Sequence, residues 1–300
     1  MPDLFKSLFT GGMYSFFQRK YTLVDMTGKV AIITGGTSGL GKQSSLALAK
    51  MGCHVFIGAR NKDKALAVVQ EIKQETGNDN IEVLEMQLDD LSSVKQAANT
   101  FKSKGLHLDI LMNNAGGCGA GGKTKDGFQT AFQVNYLSHF LLTELLLPVL
   151  NNGRVINVSA WGHKLQNKID WNRVRQDDED GVNERALDNY ADTKLCQVLH
   201  TRKLSQLHKN INSYSCHPAT DVWRNVYAPI KNMMTPFFTS EKDGSNCQVW
   251  LAIAPELKNE SGEYYFNLAK DTPNPLVNDQ AVVDEYYEKS REFVAPFLDQ

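Results

Sequence analysis

The string TGGTSGLG sets Gly35, Gly39 and Gly41 in G-x-x-x-G-x-G spacing, directly after the β-branched run KVAIIT and directly before the helical pattern KQSSLALAK. Glycines so spaced let the backbone turn tightly and approach a pyrophosphate, whose charge is met by the amides at a helix N-terminus. A bare glycine pattern is weak evidence. With a strand before it and a helix after it, the pattern predicts a dinucleotide site formed by Gly35, Thr37, Ser38, Gly39, Leu40 and Gly41. Selectivity for NAD needs an acidic side chain after the second strand, to bond the ribose 2'-hydroxyl. Here the residues are Gly58, Ala59, Arg60 and Asn61. No carboxylate repels a 2'-phosphate and the planar guanidinium of Arg60 can meet it, so NADP(H) is the expected cofactor. The plain alternative leaves Arg60 as a surface residue opening the next helix.

The elements that must position this site alternate along the chain. Short β-branched runs at 29–34, 54–59, 81–88, 109–114, 153–159, 211–217 and 263–266 are separated by amphipathic stretches. That alternation predicts an α/β protein: a Rossmann-like, doubly wound parallel sheet covered by helices on both faces, in a single domain. Its ligand crevice should lie beyond the carboxyl ends of the strands, at the switch point. The expected organisation is an N-terminal arm over 1–27 and the catalytic domain over 28–300. Segment 223–240 carries Trp223, Met233, Met234, Phe237 and Phe238 past the sixth strand and reads as a substrate-covering flap. The acidic stretch 173–185 reads as a solvated loop.

Composition excludes several functions. Of 300 residues, 42% are apolar and 22% charged, and a formal charge of -2 leaves no electrostatic footprint for nucleic acid. The five cysteines are scattered and never spaced C-x-x-C, which argues against a disulfide framework or a zinc site and for a reducing compartment. The seven histidines form no ligand pair, so no metal is expected and each reads as a surface or satisfied core residue. The first 26 residues hold no apolar run long enough to span a membrane, with Gly11 and Gly12 dividing them. A cytoplasmic protein is expected. Phe5, Leu8, Phe9, Met13, Phe16 and Phe17 among Lys6, Arg19 and Lys20 leave room for peripheral membrane contact, against the simpler reading of an arm packed on the fold or on a homodimer interface.

Further motifs carry a resemblance. NNAG at Asn113, Asn114, Ala115 and Gly116, VNYLSHF from Val134, and Y-x-x-x-K at Tyr190 and Lys194 follow the glycine motif in order. Over roughly Thr27 to Phe266 the chain resembles the short-chain dehydrogenases/reductases. The long interval between NVSAWGH and Tyr190, and the SGEYY ending, are most similar to the retinol-dehydrogenase and WW-domain-oxidoreductase branch, without a WW domain. The resemblance implies a tetrad of Asn135, a serine, Tyr190 and Lys194. Tyr190 is then the general acid/base, Lys194 bonds the nicotinamide ribose and lowers the tyrosine pKa, and Asn135 holds a relay water. Physical chemistry agrees with that division, since tyrosine near pKa 10 is a poor base and a nearby ammonium favours its phenolate. Four residues apart on a helix, Tyr190 and Lys194 share a face. The cofactor contacts implied extend to Gln87, Leu88, Asn114, Ala115, Gly116, Pro218 and Ala219.

The serine departs from the family pattern. Where family members carry N-V-S-S, this chain has Asn157, Val158, Ser159 and Ala160, so Ala160 stands at the catalytic position. Ser159 is its neighbour, and neighbours on a strand face opposite ways, so it can replace the missing donor only if the strand end bends or shifts register. Ala219 replaces the glycine of H-P-G, Trp223 stands where a threonine is expected, and the adenine-site Asp aligns with Gln87, beside Asp89. The expected function is an NADP(H)-dependent carbonyl reductase or alcohol dehydrogenase acting on a lipophilic small molecule. The alternative is a catalytically impaired NADP(H)-binding sensor or scaffold.

Overall fold

The computed structural model describes residues 19–118, 121–175, 185–218 and 240–298. Eight strands, β1 Val30–Thr34, β2 His54–Ala59, β3 Ile81–Glu85, β4 Ile110–Asn113, β5 Arg154–Val158, β6 Asn212–His217, β7 Glu263–Phe266 and β8 Ala269–Lys270, form one sheet in the order β3-β2-β1-β4-β5-β6-β7-β8. All pairings are parallel except β7 with β8. The helices are α1 Gly39–Lys50, α2 Lys62–Thr76, α3 Leu91–Ser103, α4 Ser138–Leu146, α5 Arg185–Leu207, α6 Asn246–Ile253 and α7 Gln280–Val294, with shorter turns between. This is the doubly wound α/β sheet expected.

Strand side chains alternate between two cores, as period-two geometry requires. Ile32, Phe56, Leu111, Val155 and Tyr264 face α3, α4, α5 and α7, whereas Ile33, Ile57, Met112, Ile156 and Tyr214 face α1, α2 and α6. With both faces covered, β1 is buried along its whole length, which explains its uninterrupted apolar run. Capping sets the helix ends: Asn61 accepts from the Lys64 amide at the start of α2, Gly77 closes it in a left-handed conformation, and Asp90 accepts from the Ser92 amide at the start of α3.

Three boundaries differ from expectation. β3 stops at Glu85, because the amide of Gln87 turns to the Ser93 hydroxyl instead of the ladder. The two-residue β8 follows a hairpin turn in which Asn267 and Leu268 both have positive φ, too short a pattern to show in sequence. The start of the 173–185 loop is packed: Arg173–Arg175 forms a 3-10 turn, Val174 is buried, and the Arg175 guanidinium lies 4.3 Å from the Phe128 ring centroid. Positions 176–184 lie outside the described residues, as do the expected flap from 223 to 239 and the first 18 residues of the arm. Among the described residues, no helix is long and apolar enough to cross a membrane. All five cysteines are free thiols.

The C-terminal helix α7 docks on the layer that carries α4 and α5. Tyr286 packs against Tyr136, Phe293 against Phe128, and Lys203 of α5 pairs with Asp284. Arg291 donates at 2.7 Å to Glu144, a carboxylate whose side chain is only 4% exposed and whose pKa is raised by burial. Removing one partner of a buried pair strands the other charge, whereas neutralising the buried one does not. Arg291→Ala should therefore lower unfolding free energy by about 2–3 kcal/mol and Glu144→Gln by less than about 1 kcal/mol, read by urea titration. Equal losses would show that the pair is not buried in solution.

Candidate active site

The glycine turn lies at the carboxyl end of β1, beside the switch point between β1 and β4. Gly35 and Gly39 both have positive φ, the backbone region that side chains disfavour. Gly41 is required for space: a Cβ there would fall on the Gly35 carbonyl and within 2.6 Å of Asn114 Nδ2. Ser38 caps α1 without a side-chain hydrogen bond, and the first turn of α1 holds no acidic residue. These features suit a phosphate-bearing dinucleotide, since amides and a hydroxyl face the turn with no charge to repel an anion. Thr37 and Leu40 are partly exposed on the same turn, and Arg60 is exposed at the end of β2. Gln87 and Leu88 follow β3, where the Leu88 carbonyl accepts from the Ser138 hydroxyl at 2.5 Å.

Asn114 and Ala115 are held to β1 by one hydroxyl. Thr34 Oγ1 accepts from both of their amides, at 3.0 and 2.9 Å, and Asn114 Nδ2 returns a bond to the Thr34 carbonyl. Beyond them, Gly116 is closed in by the next shell. A Cβ there would meet Asn135 Oδ1 at 3.1 Å and Lys194 Nζ at 3.3 Å, so this glycine is what lets the chain pass over both.

Asn135 lies in a π-helical segment, Gln133–Leu137, a local widening frequent at functional sites. Its side chain is fully engaged: Oδ1 accepts from the Gly117 amide at 3.0 Å, and Nδ2 donates to the Gly117 carbonyl at 2.9 Å and to Thr193 Oγ1 at 3.4 Å. Its backbone carbonyl accepts from Gln197 Nε2 at 2.6 Å and His139 Nδ1 at 3.1 Å. Both lone pairs of that oxygen are thus taken by protein.

Tyr190 and Lys194 are one turn apart on α5, with Lys194 Nζ 5.5 Å from the tyrosine ring centroid. The ammonium is buried and donates to the Val158 carbonyl at 2.8 Å, and burial pulls its pKa down to about 8. The Tyr190 phenol is pushed up, by burial first and by the nearby Cys118 second. Sequence reasoning expects the lysine to lower it. Here desolvation of the buried phenol dominates.

Ser159 is bent away from the crevice. Its hydroxyl donates to the Lys194 carbonyl at 2.7 Å, and its amide donates to the Cys216 carbonyl. A serine has one proton to donate, so Ser159 braces α5 against β5 and offers no donor elsewhere. Ala160 continues the strand direction in extended conformation, and its carbonyl holds the amide and Nδ1 of His163. Pro218 is buried past β6; Ala219 and Trp223 lie outside the described residues.

Asn135, Val158, Ser159, Tyr190 and Lys194 thus converge where β4 and β5 end, with the glycine turn on the adjacent strand. The residues sequence reasoning missed are polar and internal: Thr34, His139, Thr193 and Gln197. No periodicity marks them, since each is defined by a partner more than 50 residues distant.

A model of the short chain dehydrogenase family matches residues 29–168. Retinol dehydrogenase 12 of Mus musculus is 33% identical over 272 residues, which span 87% of this chain and 82% of the relative. The chain belongs to the short-chain dehydrogenase family. Polyprenol dehydrogenase of Homo sapiens is likewise 33% identical, over 88% of this chain and 84% of that one. Among solved structures, a short chain dehydrogenase from Burkholderia cenocepacia J2315, in complex with NADP, shares the fold at a TM-score of 0.64 and 22% identity, covering 80% of this chain and 96% of that chain. As a short-chain dehydrogenase, the protein is a nucleotide-binding oxidoreductase on a Rossmann sheet, in a family that works with nicotinamide cofactors.

The buried ammonium has a measurable signature. Because the folded pKa of Lys194 lies near 8 and the unfolded one near 10.5, its charge costs stability in full below pH 8, and the cost fades between those values. The stability of the wild type relative to Lys194→Met should therefore rise by about 3 kcal/mol from pH 7 to pH 10.5, followed by urea unfolding. A flat difference would place the ammonium in water.

Proposed function

We propose that this short-chain dehydrogenase is NADP(H)-dependent and reduces the carbonyl of a lipophilic small molecule, with Tyr190 as proton donor. The observation that carries the reading is the seating of Lys194: a buried ammonium on the Val158 carbonyl, beside the Tyr190 ring and beneath Gly116. When bound, the reduced dinucleotide supplies the hydride to the carbonyl carbon. Tyr190 transfers its phenolic proton to the carbonyl oxygen, and its raised pKa keeps that proton in place across neutral pH, which favours reduction over oxidation. Lys194 binds and orients, and below about pH 8 it adds positive charge where oxygen gains negative charge. Asn135 clamps the Gly117 peptide and α5, in place of the relay water that the family pattern implies.

For the substrate, support comes from the relatives, named for retinol and polyprenol, and from Leu165, 62% exposed on the turn after β5. For the cofactor, it comes from Arg60, exposed where a 2'-phosphate would lie. Replacing Arg60 with Ala removes a charge-assisted contact of about 1.5–3 kcal/mol, so it should erase most of the NADPH preference over NADH in fluorescence titrations. Equal affinity of both cofactors for the wild type would refute the assignment.

Ala160 favours a second reading, a protein that binds NADP(H) and turns over little, because Ser159 has no proton left for an oxyanion. One kinetic series separates the two. Ala160→Ser should raise kcat, approaching the hundred-fold or so that one oxyanion donor contributes, whereas Ser159→Ala should act mainly on stability. Tyr190→Phe should abolish turnover of aldehyde and ketone substrates with NADPH. Wild-type turnover that survives Tyr190→Phe would sink the proton-donor role, and NADPH binding without turnover in wild type and Ala160→Ser alike would leave the sensor.

A further inference from the structure

His139 is fully buried on α4, with Nε2 2.9 Å from Thr34 Oγ1 and Nδ1 3.1 Å from the Asn135 carbonyl and 3.2 Å from Gln197 Nε2. Protonated at Nε2, the ring would set the Nδ1 lone pair against the Asn135 carbonyl and bring a third donor to Thr34 Oγ1 beside two backbone amides, whereas Gln197 Nε2 has the nearer Asn135 carbonyl at 2.6 Å; the proton is therefore assigned to Nδ1. Nε2 is then an acceptor, and it takes the Thr34 hydroxyl proton at 2.9 Å. Thr34 Oγ1, its proton so directed, turns its lone pairs to the amides of Asn114 and Ala115. One imidazole therefore links the floor of the cofactor crevice to the Asn135 peptide.

From Asn135 the link continues on both sides of Lys194. Nδ2 reaches Thr193, the residue before it, and the carbonyl receives Gln197 Nε2, one turn after it. Gln197 holds this bond at 2.6 Å although its own Oε1 lacks a hydrogen-bond partner. A buried amide with one unmet end costs free energy, so the Asn135 contact is the reason for the residue. Burial lowers the His139 pKa to about 3, so the ring stays neutral and its tautomer does not change near neutral pH.

We propose that His139 is a positioning residue, fixed as its Nδ1-protonated tautomer, that orients the cofactor floor through Thr34 and the Lys194 helix through the Asn135 carbonyl. Its kinetic consequences rest on the oxidoreductase function above; its tautomer does not.

Two substitutions divide the ring. The amide of His139→Asn can reach the Nδ1 position and keep the bond to Asn135 while losing Thr34. The longer His139→Gln can reach the Nε2 position and keep Thr34 while losing Asn135. His139→Gln should lower kcat about tenfold or more and shift the NADPH Kd by less than about threefold, a lost buried contact on the Lys194 side. His139→Asn should weaken NADPH binding by about fivefold or more, with the smaller loss in kcat. Parallel changes in kcat and Kd in both variants, in proportion to the fall in Tm, would reduce His139 to ordinary core.

An NMR measurement on the wild type is independent of turnover and of whether either variant folds. The side-chain 15N shifts of His139 should report a neutral ring protonated at Nδ1, without titration from about pH 5 to 9. A ring protonated at Nε2, or one that titrates, overturns the proposal. Absence of any Tyr190-dependent turnover refutes the functional reading alone, because the NADPH affinities and the 15N spectrum still decide the role of His139.

Discussion

Taking the Lys194 ammonium out of water costs several kcal/mol, and its surroundings offset that cost with one carbonyl, that of Val158, and one aromatic face, that of Tyr190. Neither can move freely. Val158 is the last residue of a central strand, and Tyr190 is one turn back on the same helix. The other features of the site follow from this seat. Ser159 braces the helix through its hydroxyl, and a Cβ at Gly116 would crowd Asn135 Oδ1 and the ammonium. A charge so confined gives up its proton more readily, near pH 8, and the tyrosine keeps its own proton because it is itself buried.

The two halves of the crevice are arranged differently. On the cofactor side, the Gly35 amide is held by the Gly58 carbonyl, and Ser38 caps α1 without a side-chain hydrogen bond in a first turn free of acidic residues, a surface suited to an anion. On the catalytic side, Asn135, Ser159 and Lys194 bond within the protein. Asn135 uses its carboxamide and its carbonyl on four residues, Gly117, Thr193, His139 and Gln197. A closed network of this kind fixes geometry where a small displacement would slow the chemistry. It also leaves no acceptor on the Asn135 peptide for a bound water.

Ala160 follows Ser159 at the end of β5. Ala160 is well accommodated, buried and extended, with its carbonyl capping His163. The order of strands creates the switch point between β1 and β4.

The α/β architecture, seven of the strands, the glycine turn and the Tyr190–Lys194 spacing were legible in the sequence, because each is encoded locally. Alternation of β-branched runs with amphipathic ones follows from backbone periodicity, and a helix repeat puts residues four apart on one face whatever surrounds them. Arg60 and Ala160 could likewise be read by their place after a strand. What tertiary structure decided is where each proton points. That Ser159 gives its proton to Lys194, that burial outweighs the ammonium at Tyr190, and that His139 joins Thr34 to Asn135 all depend on partners brought from distant segments. A hydrogen bond is directional and a desolvation cost depends on everything within a few ångströms. Neither quantity has a period along the chain, so both become readable only once the sheet has brought β1, β4, β5 and α5 to the same edge.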